Sequence, residues 1–217
     1  LLDFAYRDIS QLYSHVFEHG IFDWYAEGNA ELNRVLNKVL YIFNHFDFNQ
    51  VNRDILGKLY EKYLPKEERK RLGEFYTPEE VIDYILDAVG YSPKKQIEGK
   101  DLLDPACGSG GFLVRALSRL IERYRIKGLG PKEILNNVIN HIYGFDINPF
   151  ACHITEMNLL FQVIDLYQKA KEEDKEYQLP RFNIYQTDSL EIPKLAEGLA
   201  RWQYPNSRVQ KLSLIHI

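Results

Sequence analysis

Cysteine is scarce in this sequence: the 217 residues hold two, Cys107 and Cys152, far apart and outside any CxxC pairing. Neither a disulfide framework nor a zinc ribbon is signalled, and a reducing compartment fits. Long apolar runs are missing as well. No stretch approaches the roughly eighteen consecutive apolar residues of a membrane helix, and no charged-then-apolar leader ends in a small-residue cleavage site. The chain reads as intracellular, cytoplasmic, and without a membrane partner. It also lacks an excess of one charge: 27 basic against 31 acidic residues leave a formal −4. That balance gives no global electrostatic footprint for nucleic acid, although a separate module could supply one. Internal repeats and low-complexity tracts are absent too. With 45% apolar, 27% charged and 13% aromatic residues, disorder and collagen-like repeats are excluded. The length suits one domain or a domain plus part of another.

Methionine occurs once, at Met157, so Leu1 is not an ordinary encoded start, and we expect the sequence to enter a longer reading frame partway. At the other end, Leu212 to Ile217 reads LSLIHI. This is the translation of CTGTCTCTTATACACATC, a transposon end used in building sequencing libraries. Native coding is expected to stop near Gln210 or Lys211, leaving an artefactual scar from 212. The alternative is a short apolar strand with period-two alternation.

Residues 1 to about 64 carry apolar side chains at three- and four-residue spacing, such as Leu32, Val35, Leu36, Val39, Leu40, Ile42 and Phe43, the stripe of amphipathic helices. Asp47 to Asn49 can cap a further helix, whose face of Val51, Ile55, Leu56, Leu59, Tyr60 and Tyr63 ends at Leu64-Pro65. That face reads as core or docking surface. The run KEERKR, Lys66 to Arg71, mixes signs, which favours a solvated linker or helix turn over a DNA-backbone contact. We expect a helical N-terminal or connector region over 1–72, an α/β region over 73–205 and a tail over 206–217.

From Tyr76 the pattern changes to alternating helix and strand. Thr77 is placed to cap a helix with Pro78 at its first position and Glu79 and Glu80 in its first turn, running to about Val89. Lys100 to Leu103 then reads as a short buried strand, Gly111 to about Ile126 as a helix, and Lys132 to about Ile139 as another. Ile142 to Phe145 is a second strand and Phe150 to about Lys171 a long helix. KEEDKEYQ is a polar exposed connection, and Phe182 to Gln186 is a third strand. Such alternation implies parallel strands with right-handed crossovers.

The informative stretch is DPACGSGGFL, Asp104 to Leu113, between a strand and a helix. Open α/β sheets bind ligands at that position. Gly108, Gly110 and Gly111 drop their side chains where a turn needs unusual dihedrals and where a ligand must approach the backbone. A dinucleotide fingerprint needs glycine where Leu113 stands, and a Walker loop needs Gly-Lys-Ser/Thr. Asp104, at the strand's end, can instead pair with a cationic amine while the helix N-terminus meets a carboxylate, so an amino-acid moiety is the natural guest. At the end of the second strand, GFDINPF puts Asp146 where a carboxylate can take both hydroxyls of a ribose. Ribose plus amino acid points to S-adenosylmethionine. After the third strand, Thr187-Asp188-Ser189 offers an acceptor for the amino group of an adenine ring, with Ile147 as an apolar plate beside it.

Plainer readings stand beside these. Thr77 can be a simple helix cap, and Asp146 and Asp188 can be turn residues at strand ends. Cys107 reads as a small packed residue, not a nucleophile. His141, His153 and Cys152 fit no standard metal spacing, so no metal is assigned.

Together, DPACGSGGF, GEFYTP (Gly73 to Pro78), GFDINPFA (Gly144 to Ala151) and TDSL (Thr187 to Leu190) resemble the adenine-specific DNA methyltransferases of restriction-modification systems. Their order is that of the class whose cofactor-binding half precedes its catalytic half. The resemblance covers roughly residues 47 to 190, because DILGKLYEKYLPKEERKRLGEFYTP is similar to the lead-in of type I modification subunits and fused type II enzymes. It implies a Rossmann-like methyltransferase half-domain with three parallel strands in an incomplete sheet, preceded by a helical region. It also implies double-stranded DNA as substrate, S-adenosylmethionine as cofactor, and specificity and restriction subunits or a fused nuclease as partners. On this resemblance Tyr76, Thr77 and Pro78 help hold the cofactor's methionine end. Asp104 and the turn of Gly108, Ser109, Gly110 and Gly111 contact its amino-acid part, with Pro105, Ala106 and Phe112 in the same stretch. Asp146 takes the ribose with Ile147 beside the ring, and Asp188 with Ser189 takes the adenine.

In the family, an Asn or Asp followed by Pro-Pro and an aromatic residue accepts bonds from the target amine, while the ring stacks on a base swung out of the duplex. This sequence has no Pro-Pro. Asn148-Pro149-Phe150 lacks the second proline and directly follows the second-strand acid, so no catalytic residue is assigned, and we expect binding without methyl transfer by this chain alone. Rival readings are a methyltransferase acting on RNA or on a protein glutamine, and a non-catalytic assembly module that retains a cofactor pocket. A nicotinamide oxidoreductase is disfavoured by Leu113 and by the long gap to Asp146.

Overall fold

The computed structural model describes residues 30–45 and 77–190. Helix α1 (Ala30–Phe43) falls within the apolar stripe expected to be helical. The other expected N-terminal helices, the KEERKR run, Tyr76 and the LSLIHI tail lie outside the described residues.

The α/β part runs α2 (Glu79–Ala88), β1 (Leu102–Asp104), α3 (Gly111–Ile126), α4 (Pro131–His141), β2 (Ile142–Asp146), α5 (Pro149–Glu173) and β3 (Asn183–Gln186). The three strands are parallel in the order β1-β2-β3. Residues Ile142 to Phe145 of the central strand are all buried, as a parallel strand covered on both faces requires. The register sets Asp104 opposite Gly144 and Asp146 opposite Gln186, so the carboxyl ends of all three strands share one edge. Two further bonds tie the loops there. The Cys107 N–H donates to the Phe145 carbonyl at 2.8 Å, and the Thr187 N–H to the Asp146 carbonyl at 2.9 Å.

Helix α3 buries Leu113, Val114, Ala116, Leu117, Leu120, Ile121 and Tyr124. Fully burying one such aliphatic side chain contributes about 1.5–3 kcal/mol. Its outer side carries Arg115, Arg119 and Arg123 at four-residue spacing, followed by Lys127. Arg115 and Arg119 reach Asp83 at 2.5 and 3.0 Å, and Arg119 reaches Asp87 at 2.6 Å. Arg123 and Lys127 share Glu98 at 2.8 and 2.5 Å. These guanidinium and ammonium groups hold the Glu98 carboxyl well below the usual carboxylate range, the Arg123 bond first. The ladder fastens α2 and the segment after it along α3.

Several expected boundaries shift. Pro78, not Thr77, occupies the cap position of α2, and no side chain caps that end. Its ring-fixed φ of −55° and carbonyl, which accepts from Val81 and Ile82 at 3.0 and 3.1 Å, start the helix instead. The first strand starts two residues later and ends one residue later than expected, so that it includes Asp104. The connection KEEDKEYQ is polar but not wholly exposed: α5 continues to Glu173, and Tyr177 is buried. An aromatic ring there covers the end of α5, and its hydroxyl donates to the Asn136 side chain at 3.0 Å.

Candidate functional site

The glycine turn closes around β2. The Asp146 carboxylate accepts the Gly108 N–H at 2.8 Å through Oδ2 and the Asn148 N–H at 2.8 Å through Oδ1. It thus fastens the turn after β1 to the tip of β2. A carboxylate has about four acceptor sites, so two remain for a ligand. Asp104 Oδ1 accepts the Ala106 N–H at 3.1 Å. Burial raises the Asp104 pKa above its ordinary value; the Ala106 bond opposes that rise, and the negative charge of Asp146 adds to it. The two carboxylates concentrate negative charge at the tips of β1 and β2.

The three glycines do different things. Gly108 has φ +54° and a Cβ there would meet nothing within 4 Å, so this position leaves open space. Gly110 has φ +87°, and its Cβ would lie 2.9 Å from both Cγ2 and Oγ1 of Thr155. Gly111 would meet Ile82 of α2 at 3.3 Å. At Gly108 the positive φ accounts for the glycine and the space beside it is open; at Gly110 and Gly111 the space is taken by packing. The Gly111 contact also brings Ile82, in the first turn of α2, to the start of α3. No side chain caps that start, so the amides of its first turn retain free donor capacity and the positive end of the helix dipole.

Leu113 is fully buried. A Cβ on Gly144 would sit 2.6 Å from Leu113 Cδ1 and 2.9 Å from Ile184 Cδ1. The close helix-to-strand approach that a dinucleotide motif achieves with its third glycine on the helix is achieved here with a glycine on the strand.

Around this centre, Ile147 is 60% exposed, offering a bare apolar surface. Asp188 is exposed, and its Oδ1 accepts the Leu190 N–H at 2.9 Å, closing an Asx turn. Ser189 is exposed beside it. Pro105 and Ala106 are exposed, while Ser109 and Phe112 are half-buried. Asn148 caps α5, its side chain accepting from Phe150 N–H at 3.0 Å, with Pro149 in the first helical position. Both cysteines are free and buried. Burial pushes the Cys152 thiol up to about 12 and raises Cys107 further, so neither is a thiolate at neutral pH. His141 pairs with Asp101 at 2.7 Å. Burial lowers the His153 pKa. Among the described residues no group of three His, Cys, Asp or Glu is arranged to hold a metal.

Two residues that sequence reasoning missed support the turn from behind. Thr155 Oγ1 donates to the Gly108 carbonyl at 2.8 Å, and Asn158 Nδ2 to the Ser109 carbonyl at 2.9 Å. The only sequence signal is that they are polar residues set, with His153 and Glu156, among the apolar residues of the first half of α5.

An α/β protein with a glycine turn and paired acids at the carboxyl edge of a parallel sheet is the class these features define. The family model for N-6 DNA Methylase matches residues 51–192, and the chain belongs to that family. The chain is 29% identical to a type I restriction enzyme methylase subunit, MjaIX, of Methanocaldococcus jannaschii, over all of its own length and 39% of that relative's. It is 37% identical over 46% of its length to the type II methyltransferase M.BstVI of Geobacillus stearothermophilus, covering 18% of that protein. Among solved structures, a DrdV–DNA complex matches with a TM-score of 0.51 and 17% identity, over 90% of this chain and 21% of that one. This last likeness is one of fold.

Proposed function

We propose that this chain is the cofactor-binding part of a site-specific DNA adenine methyltransferase of a restriction-modification system, with a Rossmann-like sheet. The observation that carries the reading is the convergence of Asp104, Asp146 and the glycine turn on one sheet edge, inside a segment that belongs to the N-6 DNA Methylase family. The relatives' names, a type I methylase subunit and a type II methyltransferase, supply the restriction-modification setting. DNA as substrate, specificity and restriction subunits or a fused nuclease as partners, and a cytoplasmic location follow from that reading.

The residues suit S-adenosylmethionine. The space at Gly108 admits a ligand to the backbone, and the uncapped start of α3 suits its carboxylate. Asp104 beside Asp146 suits its ammonium group, and the two remaining acceptor sites of Asp146 suit a ribose diol. Ile147, with Asp188 and Ser189, suits the adenine ring, and Thr77, Pro78 and the neighbouring Tyr76 suit the methionine end. When bound, the cofactor supplies a sulfonium methyl group that an amine can take by direct displacement. The chain's own part is to hold and orient that donor, a contribution of proximity. No Pro-Pro-aromatic motif is present to hold the adenine amine.

Calorimetric titration with S-adenosylhomocysteine and, separately, with NAD⁺ tests the proposal. We expect binding of the first, none of the second, and no methyl transfer to duplex DNA by the chain alone. A folded chain that prefers NAD⁺, or binds neither, overturns it.

A further inference from the structure

Thr155 and Asn158 stand about one turn apart on α5 and are buried, at 0% and 3% exposure. Their side chains draw two consecutive carbonyls of the glycine turn, Gly108 and Ser109, toward α5. All described peptide bonds are trans. In a planar trans peptide the following N–H points opposite to the carbonyl, so the N–H groups of Ser109 and Gly110 face away from the helix. That of Gly110 closes on the Cys107 carbonyl at 2.8 Å. That of Ser109 is left turned outward beside the uncapped start of α3.

This orientation needs enforcing. Gly108 and Gly110 both have positive φ, and glycine populates either sign of φ almost equally. A flip of the Gly108–Ser109 peptide turns ψ of Gly108, which glycine tolerates, and makes φ of Ser109 positive at a cost of about 1–2 kcal/mol, so the backbone alone opposes it only weakly. It would replace an outward N–H by an outward carbonyl, which repels an anion. Thr155 also fills the space a Cβ on Gly110 would take, so the same side chain sets the turn's position and its polarity.

We infer that Thr155 and Asn158 are positioning residues that lock the glycine turn with its amides outward, to receive the carboxylate of an amino-acid ligand. The inference rests on the cofactor reading above and goes beyond it by predicting a loss confined to one part of the ligand. The test compares S-adenosylhomocysteine with 5′-methylthioadenosine, which keeps the adenosine and lacks the amino-acid end. Thr155→Val preserves shape and removes the donor. It should weaken S-adenosylhomocysteine about fivefold, the scale of one neutral hydrogen bond, and leave 5′-methylthioadenosine unchanged. Thr155→Ser should restore the wild-type ratio.

Equal weakening of both ligands, or of neither, overturns the inference while leaving the cofactor reading intact; an unaltered chain that binds neither ligand overturns the reading itself. The unaltered chain gives a second measurement. Amide hydrogen exchange at Ser109 should slow with S-adenosylhomocysteine and not with 5′-methylthioadenosine, and the same exchange with both would overturn the inference.

Discussion

Gly108 and Gly110 look alike in the sequence, and alanine at each should have opposite consequences. Both have positive φ, +54° and +87°, so either alanine incurs the left-handed penalty of about 1–2 kcal/mol. At Gly110 the new methyl also lies 2.9 Å from two Thr155 atoms, and overpacking a buried site costs about 1–3 kcal/mol more. Gly110→Ala should therefore destabilise the chain by about 2–5 kcal/mol. At a mid-range small-domain m-value of about 2 kcal/mol/M that lowers the urea midpoint by about 1–2.5 M. At Gly108 nothing lies within 4 Å of the added methyl. Gly108→Ala should cost only the backbone penalty, yet its methyl enters the space through which a ligand reaches the turn. Affinity for S-adenosylhomocysteine should fall at least about tenfold, equivalent to about 1.4 kcal/mol.

Urea titration with a fluorescence readout, paired with calorimetry, separates the two effects. A double-mutant cycle then tests the cause. Thr155→Ala deletes Cγ2 and Oγ1 and leaves a Cβ at 3.2 Å. In that background Gly110→Ala should cost only about 1–2 kcal/mol, a favourable coupling of about 1–3 kcal/mol. Strict additivity would refute the packing argument. Gly108→Ala emerging as the more destabilising change, with affinity intact, would refute the division of roles between the glycines.

Two further outcomes follow from the same geometry. Gly144→Ala puts a methyl 2.6 Å from Leu113 Cδ1 and 2.9 Å from Ile184 Cδ1, so it should destabilise by about 1–3 kcal/mol; an unmoved urea midpoint would contradict this. The raised pKa of Asp104, caused chiefly by burial, means that the folded chain holds this proton more tightly than the unfolded chain. Its contribution to stability is fully present below the ordinary value of 3.8 and is lost as pH rises through the raised folded value. Asp104→Asn should accordingly remove that loss and stabilise the unliganded chain at neutral pH while weakening the hold on a ligand ammonium. Urea midpoints across this pH range, compared with the wild type, check it, and an identical pH dependence in both proteins would count against a desolvated carboxyl.

The sequence exposes what depends on local pattern and hides what depends on who sits opposite. Strand and helix order, and the placing of Asp104 and Asp146 at strand ends, were legible because a buried parallel strand reads as a short apolar run and each crossover helix as a 3.6-residue stripe. The limits of α3 coincide with the expected span because Gly111 and Ile126 bound a periodic segment. Thr77-Pro78-Glu79-Glu80 misled by one position, since a hydroxyl and a proline are both start signals and only the local dihedrals decide which one caps. Tyr177 was hidden by its charged neighbours, although one aromatic ring outweighs them when a helix end lies within reach. The glycines show the deeper limit. A positive φ beside open space, a crowded threonine and a packed isoleucine all require the same missing side chain, and nothing in the string GSGG distinguishes them. The distinction comes from elements distant in the chain: Ile82 of α2 behind Gly111, and Thr155 of α5 behind Gly110, the latter reading in the sequence as an ordinary polar residue of a helix. A motif therefore marks where backbone must come close, and the element packed behind it determines what that backbone can then bind.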